Sequence, residues 1–277
     1  MRGYQDVLLL TDLDGTVVGS DNKISEKNRD AVAYFKQQGG KFAIATGRTP
    51  DNGKEFVDFL GVNASCIFYN GAVLYDWQKK ESLQICTLKG KVWRDFVEES
   101  LQVCPSVCLQ IFTQDAFYIV TEAENDDVRL AKEGQRFERI ALEEIKEKDW
   151  LKILFCAKKD ELYKIRKLSE DFDLDVLGNS FFSAEEYYEF VSKDVSKGKM
   201  MEQMRRIPEY RNKFVFAAGD FHNDIEMLQR ADCGVAPANA DGIVKSAADL
   251  TGVSCDEDLL DHIIYEIMPR YFHKENR

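Results

Sequence analysis

The stretch that most limits what this chain can fold into lies near its start, where residues 7–16 read VLLLTDLDGT. An apolar run without alternation is typical of a strand buried on both faces, as in a parallel sheet covered by helices. Two carboxylates, Asp12 and Asp14, follow this run directly, and Gly15 permits a backbone turn that a side chain would obstruct. Because ligands bind at the carboxyl ends of strands in open α/β sheets, we expect both carboxylates at a chemical site.

The spacing of the two carboxylates has a functional and a structural interpretation. Two like charges held this close repel each other unless a cation or a proton lies between them. Asp and Gly are also ordinary turn formers, so the pair could simply mark the end of a strand. The complete string Asp-x-Asp-Gly-Thr is rare by chance at average composition, which favours the functional interpretation.

Strands and helices alternate in the first 80 residues, and the alternation resumes after residue 189. The buried strands predicted after the first one cover 41–45, 65–69, 214–218 and 233–236. The polar clusters that follow the first three of these are Thr46-Gly47-Arg48, Asn70-Gly71 and Gly219-Asp220-Phe221-His222-Asn223-Asp224. This pattern predicts an α/β fold with a doubly wound, Rossmann-like parallel sheet.

The segment between these two regions has a different pattern and none of these polar clusters. Its predicted strands cover 83–88, 107–113, 117–121, 151–157, 174–177 and 180–183. Its predicted helices cover 91–103 and 160–171, and the charged stretch 122–149 is also expected to be helical and solvated. We therefore predict an inserted α+β domain over 81–188 and a core formed by 1–80 and 189–277.

The net charge of −12 limits the partners of the chain. Nucleic acids and anionic membranes require clustered Lys and Arg, so neither is an expected partner. No apolar run approaches the length of a membrane span, and the N-terminus lacks the pattern of a signal peptide. An anionic small molecule would need a local positive focus, from a metal ion or from placed Lys and Arg.

The cysteines and histidines restrict the chemistry further. Seven scattered cysteines do not suggest a disulfide framework, so we expect free thiols and a cytoplasmic location. Cys104 and Cys108 are close in sequence but lack the second pair or the histidine of a zinc site. Only three histidines are present, which argues against a zinc enzyme. Any metal is therefore expected to be a hard cation with oxygen ligands.

Four polar clusters outside 81–188 together contain what phosphoryl transfer needs. Carboxylates can act as nucleophile, proton donor and ligands of a divalent cation, while hydroxyl, amide and ammonium groups hold phosphate oxygens. Taken singly, a Thr-Gly turn, a surface Lys or an acidic helix start has an ordinary structural role. The clusters are Asp12/Asp14, Thr46/Gly47/Arg48, Lys197, and Asp220/Asn223/Asp224.

The motifs make the chain resemble the haloacid dehalogenase superfamily of phosphatases, in the Cof-type branch that carries a large cap after the third core strand. The resemblance covers essentially the whole chain, because the family's strings occur in its order and at its spacing. These strings are DLDGT at 12–16, ATGR at 45–48, YNGA at 69–72, VSKG at 195–198 and GDFHND at 219–224. A dinucleotide-dependent dehydrogenase is excluded, since no Gly-x-Gly-x-x-Gly follows the first strand.

The resemblance implies roles for the acidic residues. Asp12 would attack phosphorus and form an aspartyl-phosphate, while Asp14 would protonate the leaving alcohol and then take a proton from water. The implied cofactor is Mg²⁺, held by Asp12, the backbone carbonyl of Asp14, and Asp220, with Asp224 in or behind its coordination shell. An anionic nucleophile can approach a phosphate dianion only if cations neutralise both.

The resemblance also implies a phosphate-binding set and two further contacts. The residues that would hold the transferring phosphoryl group are Thr46, Gly47, Lys197 and Asn223. Arg48 either reaches the substrate or pairs with a nearby acid. Asn70, near the first hinge of the inserted domain, is a further candidate for substrate binding.

The expected function is Mg²⁺-dependent hydrolysis of a small phosphorylated metabolite, with a sugar phosphate as the favoured substrate. The cap over 81–188 would exclude water and select the leaving group. The protein is expected to be a monomer or a weak homo-oligomer. One alternative is a phosphomutase or phosphotransferase with the same intermediate. Another is a non-catalytic regulator that binds sugar phosphates, although the complete acidic set argues against it.

Overall fold

The computed structural model of the protein describes residues 3–114, 116–132 and 137–274. Contacts along the chain divide it into two compact units. The core unit comprises Met1–Gln84 and Ser196–Arg277, and the inserted unit comprises Ile85–Val195. Both junctions lie slightly later in the chain than the predicted boundaries at 80/81 and 188/189.

The strands and helices are numbered in chain order. The strands are β1 (Val7–Thr11), β2 (Lys41–Ile44), β3 (Cys66–Phe68), β4 (Val73–Asp76), β5 (Glu81–Ile85), β6 (Cys108–Phe112), β7 (Phe117–Ile119), β8 (Glu138–Arg139), β9 (Lys152–Cys156), β10 (Gly178–Ala184), β11 (Tyr187–Ser192), β12 (Phe214–Ala218), β13 (Cys233–Ala236) and β14 (Leu250–Thr251). The helices are α1 (Glu26–Gln37), α2 (Pro50–Leu60), α3 (Val92–Val103), α4 (Val128–Lys132), α5 (Leu142–Ile145), α6 (Lys159–Asp171), α7 (Lys197–Met204), α8 (Ile225–Arg230), α9 (Gly242–Ala247), α10 (Leu259–His262) and α11 (Met268–Lys274).

The core unit contains a five-stranded sheet in the order β14-β13-β12-β1-β2. All pairings between its described strands are parallel, and β1 lies between β12 and β2. Every residue of β1 is buried, which accounts for the uninterrupted apolar run in the sequence. This sheet confirms the predicted α/β fold and brings the carboxyl ends of β12, β1 and β2 to the same edge.

The third predicted strand is present as β3, but the chain reverses after it, which the sequence did not predict. β3 joins β2 through the bridge Ala45–Ile67 and also belongs to a three-stranded sheet in the order β3-β4-β5, in which β3 and β4 are antiparallel. Tyr69, Asn70 and Gly71 have φ values of 52°, 56° and 105°, which turn the backbone so that β4 runs back along β3. β5 therefore pairs with β4, whereas the sequence analysis assigned a strand over 83–88 to the inserted domain.

The inserted unit contains a six-stranded mixed sheet in the order β10-β11-β9-β6-β7-β8. Its pairings are antiparallel except for the parallel pair β7–β8. One aromatic core joins its helices to the sheet, with Phe96 of α3 in edge contact with Phe155 of β9 and Phe190 of β11. The inserted unit thus has the predicted α+β character.

The predictions of two elements in the inserted unit were wrong. The charged stretch 122–149 is not one helix, because its described residues form only α4, α5, β8 and a 3₁₀ turn at Ala123–Asn125. Residues with high helix propensity do not form a long helix in water unless an apolar face packs elsewhere. The strand predicted over 174–177 is a 3₁₀ turn at Leu174–Val176. No helix in the described part of the chain is both long and apolar enough to span a bilayer.

Candidate active site

Asp12 lies directly after β1 and is nearly buried, with 6% of its surface exposed. Its backbone N–H donates to the carbonyl of Ala218, at the end of β12, over 2.9 Å. The ammonium group of Lys197 donates to Asp12 Oδ1 at 2.6 Å and to Asp224 Oδ1 at 2.7 Å. One buried cation therefore joins two carboxylates that are far apart in sequence.

Lys197 owes its position to the start of α7. The hydroxyl of Ser196 accepts the backbone N–H of Lys199 at 2.9 Å and so caps the helix, of which Lys197 is the first residue. A Cβ atom on Gly198 would lie 2.7 Å from the backbone carbonyl of Glu226, so the glycine permits close packing of α7 against α8. The cap and the glycine together direct the ammonium group toward the end of β1.

The loop after β12 folds around Asp224. Asp224 Oδ2 accepts the backbone N–H groups of Asp220 and Phe221 at 3.1 and 3.2 Å. Asp220 Oδ1 in turn accepts a hydrogen bond from the Thr16 hydroxyl at 2.7 Å. These contacts orient two carboxylates beside the one at the end of β1.

The carboxyl groups of Asp12, Asp220 and Asp224 form an acidic cluster, beside which Lys197 supplies one positive charge. Burial raises the pKa of Asp12 well above its ordinary value, because Lys197 offsets the penalty only in part and Asp224 adds to it. Burial also raises the pKa of Asp220 to about 7, with Asp224 as the next cause. Burial alone would lower the pKa of Lys197, but Asp12 and Asp224 outweigh it and raise that pKa. A further cation would relieve this repulsion.

The donor atoms of the cluster suit a hard divalent cation. Asp12, Asp220 and Asp224 each offer a carboxylate oxygen, and these oxygens lie within 4.8 Å of one another. Gly15, with a φ of 77°, keeps space beside them, since a Cβ atom there would lie 2.4 Å from Asp220 Oδ2. The residues present therefore fit Mg²⁺.

Arg48 pairs with Asp14, which is one of its two predicted roles. Its Nε donates to Asp14 Oδ2 at 2.8 Å and its Nη2 to Asp14 Oδ1 at 2.6 Å. The guanidinium group also lies over the Phe56 ring, 4.7 Å from its centroid, and donates to the carbonyl of Asn52. Asp14 remains half exposed, whereas the nucleophile candidate Asp12 is buried.

The remaining predicted residues meet at the turn after β3. Asn223 donates from Nδ2 to Asn70 Oδ1 at 3.0 Å, and the backbone N–H of Asn70 donates to the carbonyl of Thr46 at 3.0 Å. A Cβ atom on Gly47 would lie 2.9 Å from Asn70 Oδ1. Asn70, proposed from the sequence as a substrate contact, is 1% exposed and helps to orient Asn223.

With this geometry, the comparison with known proteins decides the family. The model of haloacid dehalogenase-like hydrolases matches residues 9–264. The chain is a haloacid dehalogenase-like hydrolase. The family assignment agrees with the one predicted from the motifs.

Individual haloacid dehalogenase-like relatives match over nearly their full length. In Bacillus subtilis, the phosphatase YwpJ is 25% identical over 94% of this chain and 99% of its own. The 5-amino-6-(5-phospho-D-ribitylamino)uracil phosphatase YitU of the same organism is 23% identical over 91% of this chain and 93% of its own. The solved structure of the sugar phosphatase BT4131, of subclass IIB, shares the fold with a TM-score of 0.79 at 20% identity, over 95% of this chain and 98% of that one. The protein is thus an enzyme of the phosphatase type.

Three residues of this haloacid dehalogenase-like site had no role in the sequence analysis. Thr16 was part of the first motif, and its hydrogen bond to Asp220 was not anticipated. Ser196 precedes Lys197 in a pattern typical of a helix cap, which is a usable signal. Asn239 donates to the carbonyl of Gly15 at 2.7 Å from a loop after β13, and nothing in the sequence indicated this contact.

Proposed function

We propose that the protein is a Mg²⁺-dependent phosphomonoesterase that forms an aspartyl-phosphate on Asp12. The observation that carries this proposal is the buried Lys197 ammonium group between Asp12 and Asp224, beside the acidic cluster. A buried carboxylate held by a cation is suited to attack phosphorus, since both charges must be screened on approach. The phosphatase relatives support the same class of reaction.

The proposed reaction has two steps. A carboxylate oxygen of Asp12 attacks phosphorus, the bond from phosphorus to the alcohol oxygen breaks, and Asp14 donates a proton to that oxygen. Water then attacks the phosphorus of the aspartyl-phosphate, Asp14 takes its proton, and the bond to Asp12 breaks to release inorganic phosphate. Arg48 donates to both carboxylate oxygens of Asp14, so at least one of these hydrogen bonds has to open before Asp14 can donate a proton to the leaving oxygen.

The other predicted residues would bind the phosphoryl group and the metal. Mg²⁺ would supply positive charge for the phosphate oxygens when bound. Its proposed ligands are Asp12, Asp220 and the backbone carbonyl of Asp14, with Asp224 in or behind the coordination shell. The proposed phosphate contacts are Thr46, Gly47, Lys197 and Asn223. We further propose a sugar phosphate as substrate, with the inserted domain selecting the leaving group.

The test uses single turnover with the wild-type chain and Asp12→Asn. Wild-type protein mixed with a sugar phosphate and Mg²⁺, then quenched in acid, should carry a phosphoryl group that hydroxylamine releases. Asp12→Asn should carry no such phosphoryl group, and its kcat should fall at least about 10³-fold. Its circular dichroism spectrum should be unchanged. Activity close to that of the wild type in the variant would contradict the mechanism. Transfer of the phosphoryl group to an added sugar, in place of its release as inorganic phosphate, would indicate a phosphotransferase.

A further inference from the structure

The side chain of Asn239, in the loop between β13 and α9, joins two segments that are far apart in sequence. Its Nδ2 donates to the carbonyl of Gly15 at 2.7 Å, and its Oδ1 accepts the backbone N–H of Cys255 at 2.9 Å. Because a carbonyl can only accept and an N–H can only donate, these two partners determine the orientation of the amide. The side chain therefore bridges the turn after β1 and the segment before α10.

Backbone hydrogen bonds and a helix cap hold the loop that carries Asn239. The backbone N–H of Ala238 donates to the carbonyl of Val253 at 3.1 Å, and that of Ala240 donates within the loop at 3.0 Å. The side chain of Asp241, at the end of the loop, caps α9. The loop is thus anchored by contacts other than those of the Asn239 amide, and the amide connects this anchored loop to the two segments.

The Gly15 end of this bridge lies against the acidic cluster. Gly15 has a φ of 77°, and a Cβ atom there would lie 2.4 Å from Asp220 Oδ2. The next residue, Thr16, donates from its hydroxyl to Asp220 Oδ1 at 2.7 Å. Asn239 and Asp220 thus hold the same turn through two different hydrogen bonds. A displacement of this turn would change its spacing from the carboxylates of the cluster.

The loop between β13 and α9 also contacts the second segment of the acidic cluster. Asp241 Oδ2 lies 3.0 Å from Nε2 of His222, which stands between Asp220 and Asp224 in the chain. One loop therefore contacts both segments that carry the proposed metal ligands, the turn after β1 and the loop after β12. Groups that orient metal ligands without binding the metal contribute to its affinity, because they fix the spacing of the ligand atoms.

We propose that Asn239 is a positioning residue for the metal site. By holding the carbonyl of Gly15, it fixes the turn that carries Asp14 beside Asp220. Asn239 itself contacts neither the metal nor the phosphoryl group in this proposal, and its effect passes through the turn. The inference rests on the metal site of the function proposed above.

The first test measures Mg²⁺ binding to the full-length protein by calorimetric titration without substrate. Asn239→Ala removes both hydrogen bonds at an exposed position and should raise the dissociation constant of Mg²⁺ about tenfold. Asn63→Ala is the matched control, because Asn63 also bridges two backbone groups. It donates to the carbonyl of Gly40 at 3.0 Å and accepts the N–H of Phe42 at 2.7 Å, at the amino end of β2. This control should bind Mg²⁺ as the wild type does.

The second test measures amide hydrogen exchange by nuclear magnetic resonance in EDTA, where no metal is bound. The backbone N–H groups of Val17 and Val18 donate to the carbonyl of Leu13 at 3.0 and 2.8 Å. Their exchange should become faster in Asn239→Ala, because the turn loses a tether. Asn239→Asp keeps the acceptor for Cys255 but loses the donor to the turn. It should therefore accelerate exchange at the two valines and leave exchange at Cys255 at the wild-type rate.

Three results would overturn the role of Asn239. The first is a Mg²⁺ dissociation constant in Asn239→Ala within about twofold of the wild-type value, and the second is an equal rise in Asn239→Ala and Asn63→Ala. The third is unchanged exchange at Val17 and Val18. A wild-type protein that binds no Mg²⁺ would instead overturn the proposed metal site, and this role with it. Neither test uses substrate, so full activity in Asp12→Asn would contradict the reaction alone.

Discussion

At the scale of single residues, the site depends on one buried ammonium group. Lys197→Met keeps the approximate length of the side chain but leaves Asp12 and Asp224 buried without their shared cation. We expect the free energy of unfolding in EDTA to fall by about 3–5 kcal/mol, because breaking a buried ion pair leaves uncompensated charge. Urea denaturation followed by circular dichroism measures this loss.

The neighbouring lysine provides the control for that substitution. Lys199 lies on the same helix and is partly exposed, so Lys199→Met should change the free energy of unfolding by less than about 1 kcal/mol. Equal losses in the two variants would mean that the ion pair with the two carboxylates contributes nothing specific. Loss of phosphatase activity is expected for Lys197→Met alone.

The sequence identified these residues better than it identified their partners. Asp12, Lys197 and Asp220 stand in strings whose order and spacing match those of a family, so their proximity could be expected. The pairing of Arg48 with Asp14 was left open, because a guanidinium group can reach several partners and the choice depends on side-chain packing such as the contact with Phe56. The support of Asp220 by Thr16 likewise requires the folded loop.

At the scale of elements, the cap of α7 should affect both stability and activity. Ser196→Ala removes the hydroxyl that accepts the N–H of Lys199 and should cost about 1 kcal/mol of stability. Because Lys197 is the first residue of the helix, fraying there should also lower kcat/KM. Thermal melts and steady-state kinetics measure the two effects.

A second helix cap in the same unit serves as the control. Ser25 caps α1 in the same way, accepting the N–H of Asn28 at 3.1 Å, and its hydroxyl also donates to Asp258. Ser25→Ala should therefore cost at least as much stability while kcat/KM stays at the wild-type value. A parallel fall in kcat/KM for both variants would show that activity follows stability in general and not the position of Lys197.

The turn after β3 gives a prediction about close packing. Gly71 has a φ of 105°, and a Cβ atom there would lie 2.3 Å from the carbonyl oxygen of Ser196. Gly90 has a nearly equal φ of 106°, but its nearest neighbour would be 3.8 Å away. Gly90→Ala should cost its unit about 1–2 kcal/mol from backbone strain alone. Gly71→Ala should cost at least about 2 kcal/mol more, because backbone atoms have to move.

Calorimetric melting of the two glycine variants measures this difference. Equal destabilisation would contradict the packing argument, since the two positions have nearly the same φ and differ in the atoms that a Cβ would meet. Gly71→Ala should also lower phosphatase activity, because the displaced Ser196 caps the helix that starts with Lys197.

The elements themselves were predictable to different degrees. Strands buried on both faces, such as Phe214–Ala218 and Cys233–Ala236, lie where the apolar runs predicted them. The exposed edge strand Leu250–Thr251 and the strand Val73–Asp76 were missed, because strands of two to four residues carry little periodic signal. The reversal at Tyr69–Gly71 depends on left-handed backbone conformations, which Asn70 and Gly71 favour in the sequence but Tyr69 does not.

At the scale of the whole molecule, the net charge of −12 poses a question about the metal. Mg²⁺ could stabilise the protein by binding the acidic cluster or by general screening of its negative charge. Specific binding to the folded state raises the free energy of unfolding by about 2.7 kcal/mol when Mg²⁺ is present at 100 times its dissociation constant. We expect this stabilisation in the wild-type protein, measured as a shift of the melting temperature on addition of Mg²⁺.

Two substitutions with the same change of charge distinguish these mechanisms. Asp220→Asn removes one proposed ligand from the cluster, whereas Asp30→Asn removes one exposed charge from α1. Site binding predicts that the Mg²⁺-dependent shift falls sharply in Asp220→Asn and is unchanged in Asp30→Asn. Screening depends on total charge and predicts the same small reduction in both. Equal shifts in the two variants would therefore remove the thermodynamic case for a metal at the end of β1, while leaving the family assignment unaffected.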